Sequence, residues 1–353
     1  MVSLIPYQVK AVLWHWDRRR QVPAKGYLCL RIQWVFSTAI SFNGYRYREY
    51  PDVGGRPAGR SLYMGTAGIK LIAFYGRNGV GKTAISANLS VALALAGYRV
   101  LLVSCGCKSD SVASSRRNGT ISTLLELMRE CSSASPDEVV QGGFAGVFHL
   151  ETGAPPADRV NSDLSIIAAV QCINESGLFE RLKLDYVIYN VQGDEAGGHF
   201  TVPVRKGPFQ SIFTVMSAEL RSVRAANSLF EQIRQQSGNG GARVGGIIAN
   251  FMDAPYSHSL IDDFAEKTAT NVLAYFPRSF QLQNSEVQGK TVFEGITDTL
   301  LVEEFGRLAL KIATHGDSLV PRPLNSDDVW KFSMKWNTRF AEMETAEGAG
   351  AGI

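Results

Sequence analysis

The residues best suited to chemistry form one short glycine-rich loop. Gly76 to Thr83 reads Gly-Arg-Asn-Gly-Val-Gly-Lys-Thr, after an apolar run that ends at Tyr75 and before an Ala- and Leu-rich run from Ala84 to Ala96. Strand, glycine loop and helix in this order are the context of a phosphate-binding loop. The glycines let successive backbone N–H groups point into one concavity, and the helix start adds partial positive charge. The segment predicts a nucleotide site, and we expect the nucleotide to be ATP.

We expect both the side chains and the backbone of this loop to contact the nucleotide. Lys82 can reach the terminal phosphates, where it is also a candidate catalytic group, and the Thr83 hydroxyl can ligate Mg²⁺. The residues expected to contact the nucleotide are Gly76, Arg77, Asn78, Gly79, Val80, Gly81, Lys82, Thr83 and Ala84. The expected cofactors are therefore ATP and Mg²⁺.

The elements that must position the loop alternate between strand and helix patterns. Strands are predicted at Leu71 to Tyr75, Val100 to Ser104, Gly146 to Leu150, Tyr186 to Tyr189, Ser211 to Val215, Gly245 to Ala249 and Val272 to Tyr275. Helices are predicted at Lys82 to Ala96, Ile121 to Glu130, Leu164 to Asn174, Leu220 to Gln236, Ser259 to Lys267 and Val302 to Ala313. The pattern predicts an α/β fold of the P-loop NTPase kind, a single domain with a doubly wound, mostly parallel sheet and helices on both faces.

Composition limits the classes of function. The chain has 353 residues, of which 45% are hydrophobic, and no apolar run is long enough to span a membrane. The net charge of +3 is unevenly spread, because residues 1–63 carry ten Lys or Arg against three Asp or Glu, which leaves 26 against 30 for the rest. Since the basic excess belongs to this first segment, we do not expect the domain to bind nucleic acid.

The cysteines indicate a reducing compartment. They are Cys29, Cys105, Cys107, Cys131 and Cys172. These positions show neither paired metal-ligand spacing nor the density of a secreted disulfide scaffold, so a cytoplasmic location is expected. Cys105 and Cys172 are interpreted as small buried hydrophobic residues.

Composition also divides the chain into three parts. Residues 1–63 are atypical, with three of the five tryptophans and no long periodic apolar face. We interpret them as a leader before a start at Met64, in preference to a basic docking arm, because composition shifts abruptly there. Residues 64–315 are predicted to form the nucleotide-binding domain, and residues 316–353 an amphipathic helix followed by a tail.

The last helical stretch carries an apolar stripe with basic residues beside it. The stripe consists of Val329, Phe332, Trp336, Phe340 and Met343, at spacings of three or four. Such a stripe is typical of a helix that packs on its own domain or on a second subunit, which is our interpretation. Contact with a membrane surface is the alternative.

Taken together, seven segments of the chain resemble one known family. They are Tyr75 to Thr83, Cys105 to Ser111, Asp185 to Phe200, Pro203 to Arg205, Gly245 to Asn250, Phe276 to Arg278 and Lys290 to Val292. Residues 64 to about 315 resemble the nitrogenase iron protein and the ATP-binding iron–sulfur subunits of protochlorophyllide and chlorophyllide reductases. The resemblance implies a homodimer in which each subunit binds MgATP, a shared [4Fe-4S] cluster, and electron transfer to a larger protein partner.

The resemblance assigns the phosphate end of the site residue by residue. It places Lys82 at the phosphates and Thr83 at the Mg²⁺. It makes Asp110 the first-switch carboxylate, near the metal, and Lys108 its neighbouring lysine. Asp194 matches the second-switch carboxylate that orients the attacking water. Asp110 and Asp194 are therefore the candidate catalytic residues beside Lys82.

The resemblance also assigns the base end of the site. Asn250 matches the asparagine that reads the adenine edge. Pro277 and Arg278 lie where the family closes the base pocket. The nucleotide-holding positions of the family thus match the chain at both ends.

Several switch positions depart from the family pattern. Gly106 replaces the aspartate that starts the first-switch motif, and Cys107 replaces the following proline. Asn190 stands where the family has an aspartate near the Mg²⁺, and Arg77 replaces a lysine that reaches the partner's nucleotide in related dimers. Because losing one positioned group commonly costs about a hundredfold in rate, we expect ATP binding with weak or absent hydrolysis.

Neither cluster cysteine of the family is present. Gly197 occupies one ligand position, and the other lies near Asn161 or Ser162. A [4Fe-4S] cluster takes four thiolates, so we expect no iron–sulfur ligands and no cluster.

Three functions compete at this point. The first, and preferred, is an ATP-dependent dimeric switch that acts on an unidentified protein partner. The second is the family's reductase role, which requires a cluster. The third is a positioning ATPase of the ParA or MinD type, which shares the loop but normally has lysine at position 77 and aspartate at position 190.

Overall fold

The computed structural model describes residues 68–105, 122–130, 135–153, 162–191, 209–237, 241–254, 256–294, 299–314 and 319–350. Within them, the strands are β1 Lys70–Tyr75, β2 Val100–Cys105, β3 Gln141–Gly142, β4 Phe148–Glu151, β5 Tyr186–Val191, β6 Ser211–Met216, β7 Arg243–Ala249 and β8 Val272–Tyr275. The helices are α1 Lys82–Leu95, α2 Leu124–Glu130, α3 Ser162–Glu175, α4 Leu178–Leu182, α5 Leu220–Gln236, α6 Ser257–Thr268, α7 Phe280–Val287, α8 Thr299–Thr314 and α9 Ser326–Gly350.

The described strands form one sheet in the order β3-β4-β2-β5-β1-β6-β7-β8. The β3–β4 pair is antiparallel and the other pairs are parallel. The chain first builds outward from β1 to β2 and β4, fills the gap with β5, and then adds β6, β7 and β8 on the other side of β1. This reversal makes the carboxyl end of β1 the topological switch point, where ligands bind in open α/β sheets.

Helices cover both faces of the sheet, so alternate strand residues enter different cores. Phe74 packs in the layer that contains α1 and α8. Tyr75, the next residue, packs in the layer that contains α3, α5, α6 and α9. The doubly wound α/β fold and the single described sheet confirm the predicted fold class.

Every predicted strand is present, and most element ends differ from prediction by one to three residues. The predicted start at Ile121 is wrong for α2, which begins at Leu124. The backbone N–H of Glu126 bonds Thr123 Oγ1, and the backbone N–H of Thr123 bonds the Glu126 carboxylate. This reciprocal cap sets the helix start after Thr123. The strand β3 and the helices α4 and α7 were not predicted.

Helix α9 packs its apolar stripe against its own domain. Phe332 and Trp336 are 3% and 1% exposed, and Phe332 meets Phe264 of α6 edge to face. Asp263 accepts hydrogen bonds from Trp336 Nε1 at 2.9 Å and Lys335 Nζ at 2.7 Å. The packing interpretation of the stripe is confirmed for its described side chains; the Met343 side chain lies outside them.

Candidate functional site

The predicted phosphate loop lies at the switch point of the sheet. It joins β1 to α1, with β5 on one side of β1 and β6 on the other. Its backbone turns through Gly76, Gly79 and Gly81, whose φ angles are 156°, 77° and 90°. The loop therefore needs a left-handed backbone at three positions, which glycine adopts without steric cost.

Two of these glycines are also required by close contacts. A Cβ on Gly76 would lie 2.1 Å from the carbonyl oxygen of Val215 in β6. A Cβ on Gly81 would lie 2.3 Å from Asn250 Nδ2. Close contacts from Val215 in β6 and from Asn250 after β7 thus restrict the conformation of the loop backbone.

Lys82 is buried inside the loop. Its Nζ donates hydrogen bonds to the carbonyl oxygens of Gly76 at 2.9 Å and Arg77 at 3.0 Å, and the residue is 7% exposed. Burial lowers its pKa from 10.5 to about 8. Phosphates bound in the loop would therefore stabilise the charged form of Lys82.

Thr83 and Asn190 form the predicted metal side of the site. Asn190 Nδ2 donates to Thr83 Oγ1 at 3.0 Å, across the gap between the ends of α1 and β5. Asn190 Oδ1 is buried and has no hydrogen-bond partner among the described residues. An amide therefore contacts the Thr83 hydroxyl at the position where the family resemblance implies a carboxylate.

Arg77 points toward the start of α5. Its guanidinium forms an ion pair with Glu219 at 3.1 Å, and the two side chains are 29% and 61% exposed. An exposed pair of this kind contributes about 0–1 kcal/mol, so the arginine is easily released.

Asn250 connects the loop to the end of β7. Its Nδ2 donates to the carbonyl oxygen of Val80 at 2.9 Å, and the residue is 1% exposed. This bond fixes the orientation of the amide, because only the nitrogen can donate to a carbonyl. The oxygen, Oδ1, is left without a partner among the described residues. A hydrogen-bond donor on a purine base could satisfy it.

Three residues near Asn250 form a cluster that has strained backbone. Phe251 has φ 59°, a left-handed conformation that costs a bulky residue about 1–3 kcal/mol. The Arg278 guanidinium lies 4.5 Å from the centre of the Phe251 ring. Asp253 holds Arg278 twice, through the backbone N–H at 2.7 Å and through Nε at 2.9 Å.

Sequence reasoning missed Phe251, Asp253 and Glu219. Phe251 directly follows Asn250 and Asp253 comes three residues after it, so proximity in sequence to a predicted base contact was an available signal. Glu219 directly precedes α5, far from the loop in sequence, and no local pattern points to it. Pro277, which was predicted, is exposed beside Arg278 after β8.

Other predicted site residues lie outside the described part of the chain. They are Lys108, Asp110 and Asp194, together with the positions of departure Gly106, Cys107 and Gly197. Their assigned roles remain predictions.

Comparison with known proteins now gives the chain a family. Residues 70–338 match the sequence profile of the 4Fe-4S iron sulfur cluster binding proteins, NifH/frxC family. The nitrogenase iron protein 2 of Paenibacillus durus is 39% identical over 276 residues, which cover 78% of this chain and 94% of that protein. The chain belongs to the NifH/frxC family. The predicted resemblance is confirmed, and the match continues through residue 338, into α9.

Solved structures of other families share the fold of this NifH/frxC-family chain. The MinD cell division protein of Aquifex aeolicus has a TM-score of 0.52 at 15% identity, over 71% of this chain and 99% of that one. A ParA family ATPase from Chlorobium tepidum TLS has a TM-score of 0.53 at 20% identity, over 69% and 98%. At these identities the likeness concerns the fold alone.

The described residues fit MgATP better than an iron–sulfur cluster. The glycine cradle and the buried Lys82 are suited to an anionic ligand, and the unpartnered Oδ1 atoms of Asn190 and Asn250 can accept from a hydrogen-bond donor or a cation. Cluster ligands are thiolates, but burial raises the pKa of Cys105 to about 12 and also raises the pKa of Cys172. Cys105 is also only 4% exposed, within the core, so it does not fit as a ligand of the cluster named in the family description; Cys29, Cys107 and Cys131 lie outside the described residues.

The described helices give no membrane span, because none of them is both long and apolar enough to cross a bilayer.

Proposed function

We propose that this NifH/frxC-family protein is an ATP-binding homodimeric switch that acts on a protein partner and hydrolyses ATP weakly or not at all. One observation carries the proposal: a complete phosphate cradle stands beside an amide, that of Asn190, in the place of a metal-side carboxylate. The cradle supports nucleotide binding, and the amide supports slow turnover.

The contact between Asn190 and Thr83 explains why turnover would be slow. The Asn190 N–H takes one of the two lone pairs of Thr83 Oγ1 and leaves only the second for Mg²⁺. A carboxylate at this position would instead accept a hydrogen bond from the hydroxyl, which would leave both lone pairs of Oγ1 free and place a negative charge beside the metal. Metal binding here therefore gains no negative charge from residue 190.

Replacement of the amide by a carboxylate tests the proposal. We expect Asn190→Asp to raise Mg²⁺-dependent phosphate release from ATP at least about tenfold, since one positioned group is commonly worth about a hundredfold. Asn190→Ala removes the amide without adding charge and should stay near the native rate. Equal rates for the native protein and Asn190→Asp would contradict the assignment of slow turnover to the Asn190 amide.

The switch itself predicts dimerisation that depends on ATP. Light scattering after gel filtration should detect a dimer with MgATP and a smaller species without it. Lys82→Ala should not dimerise, because the cradle would lose its phosphate-binding cation. A dimer that forms equally in both conditions would contradict the switch.

The family resemblance implies one other function, an ATP-dependent reductase, and the family description names the [4Fe-4S] cluster that this function requires. Anaerobic purification separates the two. The switch predicts a colourless protein without iron, whereas the reductase predicts a brown protein with about four iron atoms per pair of chains.

A further inference from the structure

Phe251 lies beside the phosphate loop. It follows β7 directly, and its Cζ is 3.7 Å from the point where a Gly81 Cβ would stand. The neighbouring Asn250 offers a buried Oδ1 with no partner among the described residues, next to its bond with Val80. An aromatic ring and an unsatisfied acceptor therefore stand together beside the phosphate loop.

The Phe251 ring is covered by a planar cation. The Arg278 guanidinium carbon is 4.5 Å from the ring centre, and Asp253 anchors Arg278 through its backbone N–H and Nε. A base inserted between ring and guanidinium would need roughly 7 Å, about twice the contact distance of stacked carbon atoms. Base and guanidinium therefore cannot share this face of the ring as the structure stands.

We propose that Phe251 is the stacking platform for the nucleotide's base and that Arg278 covers it until the base displaces the guanidinium. The inference rests on the proposed nucleotide function, because it assigns the base of that nucleotide. Stacking accepts any base, and the Asn250 Oδ1 then favours a purine that presents an exocyclic amine, as adenine does. The strained φ of Phe251 is explained by the need to aim the ring at this place.

The test compares ATP with inorganic triphosphate, which has phosphates but no base. We expect Phe251→Ala to weaken ATP binding about five- to 150-fold, the range that corresponds to 1–3 kcal/mol for one stacked base, and to leave triphosphate binding unchanged. Phe251→Tyr keeps the ring and should bind ATP like the native protein. Calorimetry measures each dissociation constant.

Two further variants protect the test from effects on folding. Asn adopts the left-handed backbone more readily than Phe, so Phe251→Asn should melt no lower than the native protein and still lose ATP affinity. Arg278→Ala should bind ATP about two- to fivefold more tightly, because an exposed cation–π contact no longer competes for the ring.

The outcomes separate this inference from the proposed function. If the native protein binds neither ATP nor triphosphate, the nucleotide function fails. If both bind but Phe251→Ala weakens them equally, or not at all, the stacking platform is overturned while nucleotide binding stands. If Arg278→Ala weakens ATP binding, the guanidinium does not compete with the base.

Discussion

The two ends of the nucleotide site, the phosphate loop after β1 and the cluster after β7, differ in how the chain holds them. The loop is enclosed by neighbouring strands, and the buried Lys82 bonds two of its carbonyls. The cluster has a strained Phe251 and an exposed Arg278, held by a single exposed carboxylate. The comparison indicates that the phosphates bind to a loop that is already in place, whereas binding of the base requires Arg278 to move off the Phe251 ring.

The glycines of the loop give the largest expected effect. Gly76→Ala would drive a Cβ against the Val215 carbonyl, and we expect it to abolish ATP binding and destabilise the fold by about 3 kcal/mol or more. Gly79→Ala is the matched control, since its φ is also positive but no atom lies within 4 Å of the new Cβ. Its cost should stay near 1–2 kcal/mol. Urea unfolding measures both, and equal losses would mean that the loop is not held by β6.

Lys82 makes the phosphate end sensitive to pH. Its pKa of about 8 means that the free protein loses this charge just above pH 8, so ATP affinity should fall by up to about tenfold per pH unit there. The unfolded lysine keeps its proton up to about pH 10.4, so the Lys82 contribution to the free energy of unfolding should rise between pH 8 and 10.

Arginine at this position provides the control for the pH effect. Lys82→Arg stays charged throughout this range, and the decline in affinity between pH 8 and 9.5 should disappear. Calorimetry of ATP binding at several pH values checks the slope. A native slope that survives in the arginine variant would assign the titration to another group.

Arg77 gives the smallest expected effect and links the loop to a second subunit. We expect Arg77→Ala to weaken ATP-dependent dimerisation about tenfold while monomer affinity for ATP changes less than twofold, because the pair with Glu219 is exposed. Arg224→Ala, an exposed arginine on α5, is the control. Sedimentation measures the dimer constant. Equal losses in dimerisation and ATP binding would place Arg77 on its own subunit's nucleotide.

The phosphate end could be predicted from sequence because its parts are contiguous. Gly76 to Thr83 contains the turns, the lysine and the hydroxyl in one segment, and backbone geometry does most of the binding. The parallel sheet could also be predicted from sequence, because its buried strands are continuous apolar runs such as the one that ends at Tyr75.

The base end could not be predicted in the same way. Phe251 and Arg278 lie 27 positions apart in the chain and meet only because β7 and β8 are neighbours in the sheet. A lone phenylalanine after a strand normally indicates core packing, and its left-handed backbone has no signal in the residue type. The short elements β3, α4 and α7 could not be predicted either, because a segment of two to eight residues shows too little hydrophobic periodicity.

The packing of α9 on α6 limits which surfaces of this protein can bind other proteins. Phe332 and Trp336 occupy the aromatic surface around Phe264, and the indole N–H is already bound by Asp263. A chain that ends before Ser326 would expose the apolar surface around Phe264 to water, and we expect it to aggregate. The surface of α6 under α9 is therefore not available to a docking protein.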